Sequence, residues 1–303
     1  MEFGDPYPWV FVDGTFVPAD GARVGVLANA LSYGTGTFEG IRAFATGHQV
    51  YLFEPHPHYA RLARSARILG LPLAPGVDDL VAATVDLLRR NEVHSDAYVR
   101  PLLFLAGERL FVRLHDIEAR LVIAATPMPE GYLPGDGLRC MTSSWRRAPD
   151  TVLPARAKVT GGYVGPALAK TEAIRAGYDE AIMLTIDGYV AESTTANVVI
   201  RSGDGWFSPL STDDILAGIT LRCVATLLGD VEFRRVQRSE LYAADEAFLC
   251  GTAALVAPVV SVDGRPIGDG KPGARSLALR DDLVAIARRE VSHYPEWTVP
   301  VYG

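Results

Sequence analysis

Ala155-Arg-Ala-Lys-Val-Thr-Gly-Gly-Tyr163 holds one of only three lysines in this 303-residue chain; the other two are Lys170 and Lys271, and the remaining 26 of 29 basic residues are arginine. An amine nucleophile must therefore be one of three side chains, because lysine loses its proton when desolvated and arginine does not. GC-rich codon usage is enough to explain the scarcity, which by itself proves no chemistry. Lys271 falls in Gly268-Asp-Gly-Lys-Pro-Gly273, a turn-rich loop that predicts a solvated ammonium. Lys170 falls in a helical stretch, Pro166 to Ala176, and reads as a surface position. Lys158 lies between a polar loop and a glycine pair, with the small Ala157 before it, and is the lysine to examine for chemistry.

The length suits two domains, or one large one, at roughly 150 residues per domain. The chain is 49% hydrophobic and 21% charged, the composition of an ordinary soluble globular protein. A net charge of −7 argues against a nucleic-acid scaffold. The acidic start lacks the basic and apolar regions of a signal peptide. No apolar run reaches the about 18 residues of a membrane span. Cys140, Cys223 and Cys250 are well separated and lack metal-ligand spacing, as expected of reduced thiols buried in a cytoplasmic protein.

Working outward, Val10–Val17 sets Asp13-Gly14 between two apolar alternations and predicts a hairpin. Tyr59, Leu62, Ala66 and Leu69 keep helical spacing ahead of a capping Gly70. A second helix is expected from Asp78 to Arg90, then strands at Ala97–Phe104 and Leu121–Ala125. Pro127–Gly137, with three prolines and three glycines, is the expected linker. Beyond it come strands at Leu138–Ser144, Glu180–Thr185, Tyr189–Glu192, Asn197–Arg201, Trp206–Phe207, Glu246–Cys250 and Val256–Val262. Helices are expected over Gly218–Gly229 and from Arg275 to about Ser292. Strands and helices mix without regular βαβ alternation, so the expected class is α+β, with domains 1–126 and 138–303 joined by 127–137.

Gly268–Gly273 matches G-x-G-x-x-G, but its place near the C-terminus and its internal proline argue against a dinucleotide site. His56-Pro-His58 lacks a third metal ligand, and no metal site is expected. Ala30–Arg42 is glycine-rich and carries Tyr33 and Phe38; it either packs two elements or brings backbone and aromatics to a small ligand. Leu249–Ala254 follows a strand with small residues that expose N–H groups to an anion.

Together with Tyr33-Gly-Thr-Gly-Thr-Phe-Glu-Gly-Ile-Arg42, Ala97-Tyr-Val-Arg-Pro-Leu102, Ser143-Ser-Trp-Arg-Arg147, Ala155–Tyr163, Gly188-Tyr-Val-Ala-Glu192, Gly218-Ile-Thr220 and Gly251-Thr-Ala-Ala254, the chain resembles the fold-type IV, pyridoxal-phosphate-dependent aminotransferases of the branched-chain amino-acid group. The resemblance runs from Val12 to the last helix. It implies a two-domain homodimer that transfers an amino group from a branched-chain or other hydrophobic L-amino acid to 2-oxoglutarate. It makes Lys158 the lysine that holds the cofactor and moves the substrate proton. Glu192 becomes the partner of the pyridine nitrogen and Tyr163 a contact of the phenolic oxygen. Arg61, Ile219, Thr220 and Thr252 become the phosphate site; without the resemblance, Arg61 reads as a surface helix arginine. Tyr98, Arg100, Ala253 and Ala254 become readers of carboxylates, and Tyr33 and Phe38 the lining of the side-chain pocket.

Three departures bear on the substrate. Glu192 is followed by Ser-Thr-Thr-Ala-Asn197 rather than Gly-x-Gly-Glu-Asn. Leu221 follows Gly218-Ile-Thr220 where an arginine is usual. The loop Gly107–Asp116 carries Arg109 and Arg113, which either stay solvated or add charge to an otherwise apolar site. The alternatives on the same fold are a D-amino-acid or (R)-amine aminotransferase and an aminodeoxychorismate-lyase-like enzyme; a non-enzymatic binding descendant is disfavoured by the joint presence of Lys158, Glu192 and Arg61.

Overall fold

A computed structural model describes residues 4–129 and 135–303. The chain divides into two compact units. The first gathers Met1–Tyr132, Ala157–Gly161 and Val284–Gly303; the second gathers Leu133–Arg156 and Gly162–Leu283. The division differs from a single cut at 127–137. Two later segments return to the first unit, and residues 130–134 of the expected linker lie outside the described residues.

The first unit contains β1 (Trp9–Val12), β2 (Thr15–Pro18), α1 (Asn29–Tyr33), β3 (Gly36–Phe38), β4 (Ile41–Thr46), β5 (Gln49–Phe53), α2 (Pro55–Leu69), α3 (Val77–Arg90), β6 (Ala97–Leu105) and β7 (Ala119–Pro127). The second contains β8 (Leu138–Arg146), α4 (Val164–Arg175), β9 (Glu180–Leu184), β10 (Val190–Ser193), β11 (Asn197–Ser202), β12 (Gly205–Ser208), α5 (Ile219–Leu228), β13 (Val231–Phe233), α6 (Arg238–Ala243), β14 (Glu246–Gly251), β15 (Leu255–Val262) and β16 (Arg265–Pro266). It also holds most of α7 (Ala274–Ala287), after which β17 (Thr298–Pro300) belongs to the first unit.

The first sheet runs β17-β5-β4-β6-β7-β1-β2, with β3 also on β6, and every pairing is antiparallel. The hairpin read at Asp13-Gly14 forms with Val12 opposite Thr15. Leu62 and Ala66 on α2, and Leu80, Leu87 and Leu88 on α3, pack into one core with Ile41, Leu52 and Ile123. Gly70 closes α2 in the left-handed conformation, its N–H bonded to the Ala66 and Arg67 carbonyls. The C-terminal return has a physical basis: β17 pairs with β5, Val301 is fully buried, and Gln49 takes the Tyr302 N–H at 2.8 Å.

The second sheet runs β10-β9-β8-β15-β14-β11-β12-β13. An additional β10–β11 pairing closes β10, β9, β8, β15, β14 and β11 into a ring. The β8–β9 and β8–β15 pairs are parallel, so the sheet is mixed. Helix α7 stops at Ala287, five residues before the expected Ser292. Arg289 takes the left-handed conformation (φ +58°), its N–H bonds the Ile286 carbonyl, and the Glu290 N–H bonds that of Ala285. That is a Schellman stop without its usual glycine, which is why the sequence does not mark it. The start of α7 is also occupied: Glu246 takes both the Ser276 N–H (2.7 Å) and hydroxyl (2.6 Å).

Ending the chain at Trp297 removes β17 and the buried Val301. It is expected to lower the unfolding free energy by at least about 2–3 kcal/mol, from the lost apolar burial alone. Denaturant unfolding of the truncated protein checks this.

Candidate active site

In the first unit, the backbone on either side of the Lys158 side chain is pinned. Its N–H donates to Ser65 Oγ on α2 at 3.1 Å. Its carbonyl accepts from the Thr37 hydroxyl at 2.9 Å and from the Phe38 N–H at 3.1 Å. Val159 adds an isolated bridge to Thr37, and Thr160 Oγ1 donates to the Gly34 carbonyl at 2.7 Å. A Cβ on Gly34 would lie 2.6 Å from the Gly161 Cα, so this crossing needs glycine at position 34. The Lys158 ammonium nitrogen sits 5.0 Å from the centre of the Phe38 ring.

The other face of this cluster comes from β6. Alternation along the strand puts Tyr98 and Arg100 on one side. Arg100 stacks 4.6 Å from the Phe38 ring and reaches the Tyr98 hydroxyl at 3.5 Å. Tyr33 ends α1, exposed, beside Gly34.

Arg61 is not a surface residue. At 4% exposure it makes a bidentate pair with Glu39, Nε to Oε1 at 2.7 Å and Nη2 to Oε2 at 2.8 Å. Glu39 follows β3, is fully buried, and also binds His58 Nδ1 at 2.8 Å. His58, Arg61 and Ser65 share one face of α2 through their i, i+3 and i+7 spacing. Burial pushes the Glu39 carboxyl up, but the Arg61 and His58 contacts outweigh it and hold the group well below the usual carboxylate range. Burial lowers the His58 pKa, opposed by Glu39 and assisted by the charges of Arg61 and Lys158.

In the second unit, Glu192 is 6% exposed at the end of β10. Arg147 Nη2 lies 2.9 Å from its Oε1. Its Oε2 accepts from Asn197 Nδ2 at 3.0 Å and from the Leu216 N–H at 3.1 Å. Ile219 and Thr220 begin α5, buried, after Gly218, which has no side chain to cap the helix. A Cβ on Gly218 would lie 2.0 Å from Asn197 Oδ1. Thr252-Ala253-Ala254 form the hairpin loop between β14 and β15, closed by buried Leu255 at φ +52°, a conformation that favours glycine. Tyr163 stands at the N-cap of α4.

The departures noted in the sequence have local partners. Thr194 donates to Glu180 Oε1 at 2.7 Å, and Ser193 Oγ closes the turn onto the Ala196 carbonyl at 2.9 Å. Leu221 is buried and Arg222 exposed. Arg109 and Arg113 are both exposed, Arg113 stacked on Phe111 at 4.3 Å. Lys170 is half-buried rather than a solvated surface position, bound to Glu180 at 2.8 Å and to the Asp179 carbonyl at 2.6 Å. Lys271 is solvated, 3.8 Å from Asp269. The described residues contain no group of His, Cys, Asp and Glu placed to hold a metal.

A family model, amino-transferase class IV, matches residues 36–262. This chain belongs to the class IV aminotransferases. It is 40% identical over 301 residues to a probable branched-chain-amino-acid aminotransferase of Aquifex aeolicus (strain VF5), covering 97% of each chain. The branched-chain aminotransferase of Thermoproteus uzoniensis, solved with norvaline, aligns at 36% identity with a TM-score of 0.92, covering 97% of this chain and 99% of that one. A branched-chain amino acid aminotransferase of T.th. was solved with N-(5′-phosphopyridoxyl)-L-glutamate and with 4-methylvaleric acid. Each structure aligns at 36% identity with a TM-score of 0.91, covering 98% of this chain and 99% of that one. The mixed helix-and-sheet, fold-type IV class expected from the sequence is the class observed.

The sequence gives no role to Glu39, His58, Arg147 or Asn197. The signal for the first two is a glutamate beside Phe38 and a histidine three residues before Arg61, which only the fold brings together.

Glu39→Gln leaves the Arg61 guanidinium buried without its counter-charge, and is expected to destabilise the protein by about 3–5 kcal/mol in equilibrium unfolding. Both His58 and Glu39 have folded pKa values below their unfolded ones, so the unfolded chain binds more protons and acid destabilises the fold. The His58 contribution is complete above its unfolded pKa of about 6.5 and fades as pH falls from there; that of Glu39 fades below about 4.3. A calorimetric Tm–pH profile should show the first decline, and His58→Asn should flatten it.

Proposed function

We propose that this protein is a pyridoxal 5′-phosphate-dependent aminotransferase that carries the amino group of a branched-chain or other hydrophobic L-amino acid to 2-oxoglutarate. The observation that carries the proposal is the setting of Lys158, clamped by its backbone between α2 and β3 with its amine over the aromatic face of Phe38. The relatives named above, and the phosphopyridoxyl-glutamate and 4-methylvaleric acid in one of them, support cofactor and substrates alike.

The residues present suit that cofactor. Lys158 offers the amine, Glu192 a buried carboxylate for a ring nitrogen, Tyr163 a phenol, and Arg61 a guanidinium. The start of α5 at Ile219 and Thr220, with Thr252, offers N–H groups and hydroxyls for a phosphate. Bound pyridoxal phosphate supplies an aldehyde and an electron sink. With the cofactor held, Lys158 would take the proton from the substrate Cα as general base and deliver it to the cofactor's C4′ as general acid. Glu192 would hold a proton at the ring nitrogen. Arg100 and Tyr98, with the Ala253 and Ala254 backbone, read carboxylates, and Phe38 and Tyr33 receive the apolar side chain. The convergence of Tyr98 and Arg100 favours this reading over the D-amino-acid, (R)-amine and lyase alternatives.

The enzyme acts as a homodimer in the cytoplasm. Exposed Val24, Val26, Leu27, Leu31, Leu110 and Val112 lie on two segments that buried Asn29 stitches together, through the Gly107, Arg109 and Phe111 carbonyls. An apolar patch of this kind fits a second copy. The free cysteines Cys140, Cys223 and Cys250 are all buried, and burial pushes the Cys140 and Cys250 thiols well up, as suits structural thiols in a reducing compartment. No helix among the described residues is long and apolar enough to cross a membrane.

Borohydride reduction and peptide mapping should place a pyridoxyl label on Lys158; a label on Lys170 or Lys271 refutes the assignment. A donor panel with 2-oxoglutarate should rank leucine, isoleucine and valine above D-amino acids, and pyruvate should serve poorly as acceptor. Arg100→Ala should weaken glutamate and 2-oxoglutarate by about 10- to 100-fold and leucine far less. Equal losses for both would show a structural arginine instead.

A further inference from the structure

Arg147 lies outside every role assigned above, yet it touches the carboxylate on which the ring chemistry rests. Its Nη2 is 2.9 Å from Glu192 Oε1, its Nε donates to the Asp214 carbonyl at 3.0 Å, and its backbone N–H binds the Leu184 carbonyl at 2.9 Å. Asn197 repeats the arrangement on the other oxygen. Its Nδ2 bridges Glu192 Oε2 and the Leu216 carbonyl, both at 3.0 Å, and the Leu216 N–H returns to Glu192. Asp214 and Leu216 belong to the short loop that ends at Gly218 and opens α5, and Asn197 Oδ1 occupies the space a Gly218 side chain would need. One oxygen of the carboxylate is thus bound to the loop that sets the first turn of α5, and the other is linked to it through Arg147.

We propose that Arg147 and Asn197 are positioning residues that fix Glu192 in its ionised form and tie its place to the phosphate-binding start of α5. The proposal rests on the assignment of Glu192 to the ring nitrogen. A guanidinium remains charged over the working pH range, so its pairing favours the carboxylate over the acid. An ionised carboxylate accepts at about four positions and donates at none, so the ring nitrogen it meets must be the protonated one. Because Arg147 and Asn197 hold separate oxygens, loss of either lets the carboxylate turn, while the other keeps it near the loop. Both residues act through Glu192.

The test compares holoenzymes of Glu192→Gln, Arg147→Met, Arg147→Lys and Asn197→Ser with the parent. For each, the absorbance of bound pyridoxal phosphate is followed against pH, the cofactor Kd is measured by titrating apoprotein, and kcat and Tm are recorded. Arg147→Met should shift the pH dependence of the absorbance in the same direction as Glu192→Gln, and lower kcat by about 10- to 100-fold. Its cofactor Kd should rise less than its kcat falls, since Arg61 and Thr220 remain. Arg147→Lys should recover the absorbance profile, because the charge is restored, with a reduced Tm because the Asp214 bond is lost. Asn197→Ser should give a smaller shift of the same sign. If Arg147→Met does not fold, the lysine and serine variants carry the comparison. An Arg147 series that lowers Tm alone, with parental absorbance and kcat while Glu192→Gln is impaired, overturns the proposal. A Glu192→Gln enzyme with the parental profile overturns the underlying assignment, and the proposal with it.

Discussion

A carboxylate with no solvent exposure, Glu39, is the constraint on which the chemistry-bearing part of the first unit depends. Burying it costs several kcal/mol unless it is paired and hydrogen-bonded. Arg61 and His58 provide that pairing with three contacts of 2.7–2.8 Å. The consequence is geometric as much as energetic. Glu39 follows β3, and its partners sit on α2, so the pair fixes the helix against the strand. Those same two elements hold Lys158: Ser65 from α2 takes its N–H, and Thr37 and Phe38 from β3 donate to its carbonyl. The amine is positioned by a backbone clamp, and the clamp's two jaws are joined by a buried ion pair.

The second unit meets the same need by a different route. Its carboxylate, Glu192, sits directly across from Asn197 in the β10–β11 pairing that closes the ring of strands. The turn between them is satisfied by its own hydroxyls, Ser193 on Ala196 and Thr194 on Glu180. Here one ion pair is supplemented by neutral amide donors, and a network of that kind strengthens through mutual polarisation only while every member is satisfied. Serine and threonine in this turn hold it through their own hydrogen bonds. They change how the turn is held without removing Asn197 from Glu192.

The elements are legible where local rules govern. Asp13-Gly14, the Leu62–Ala66 stripe with Gly70, and the alternation of Tyr98 and Arg100 each report a period or a turn that the chain writes in a few residues. The end of α7 is not, because Arg289 takes a left-handed position that sequence rules assign to glycine. Lys158 stands out by elimination, since a lysine-poor chain offers few amines and one of the other two sits in a solvated turn. Arg61 misleads on local grounds: an arginine in an amphipathic helix is usually solvated, and only a glutamate 22 residues away makes burial tolerable. Arg147 is invisible for the same reason, its partners lying on three separate segments. The return of residues 284–303 to the first unit depends on β17 pairing with β5, a non-local contact that no composition shift announces.

The chain's preference for arginine separates three cationic roles by their surroundings. Arg61 is dry and doubly bonded, so its charge is fixed in place and its plane is set. Arg100 is exposed and held by aromatic stacking on Phe38 and Tyr98, with one long hydrogen bond to the Tyr98 hydroxyl, contacts that orient the guanidinium and leave most of its hydrogen-bond donors to other partners. Lys158 lies over the same Phe38 ring, but as an amine it can give up its proton. A single aromatic ring thus carries one cation that stays charged and one that can lose its proton. In the proposed function, it is the difference in acidity between guanidinium and ammonium that suits the first to anion recognition and the second to proton transfer.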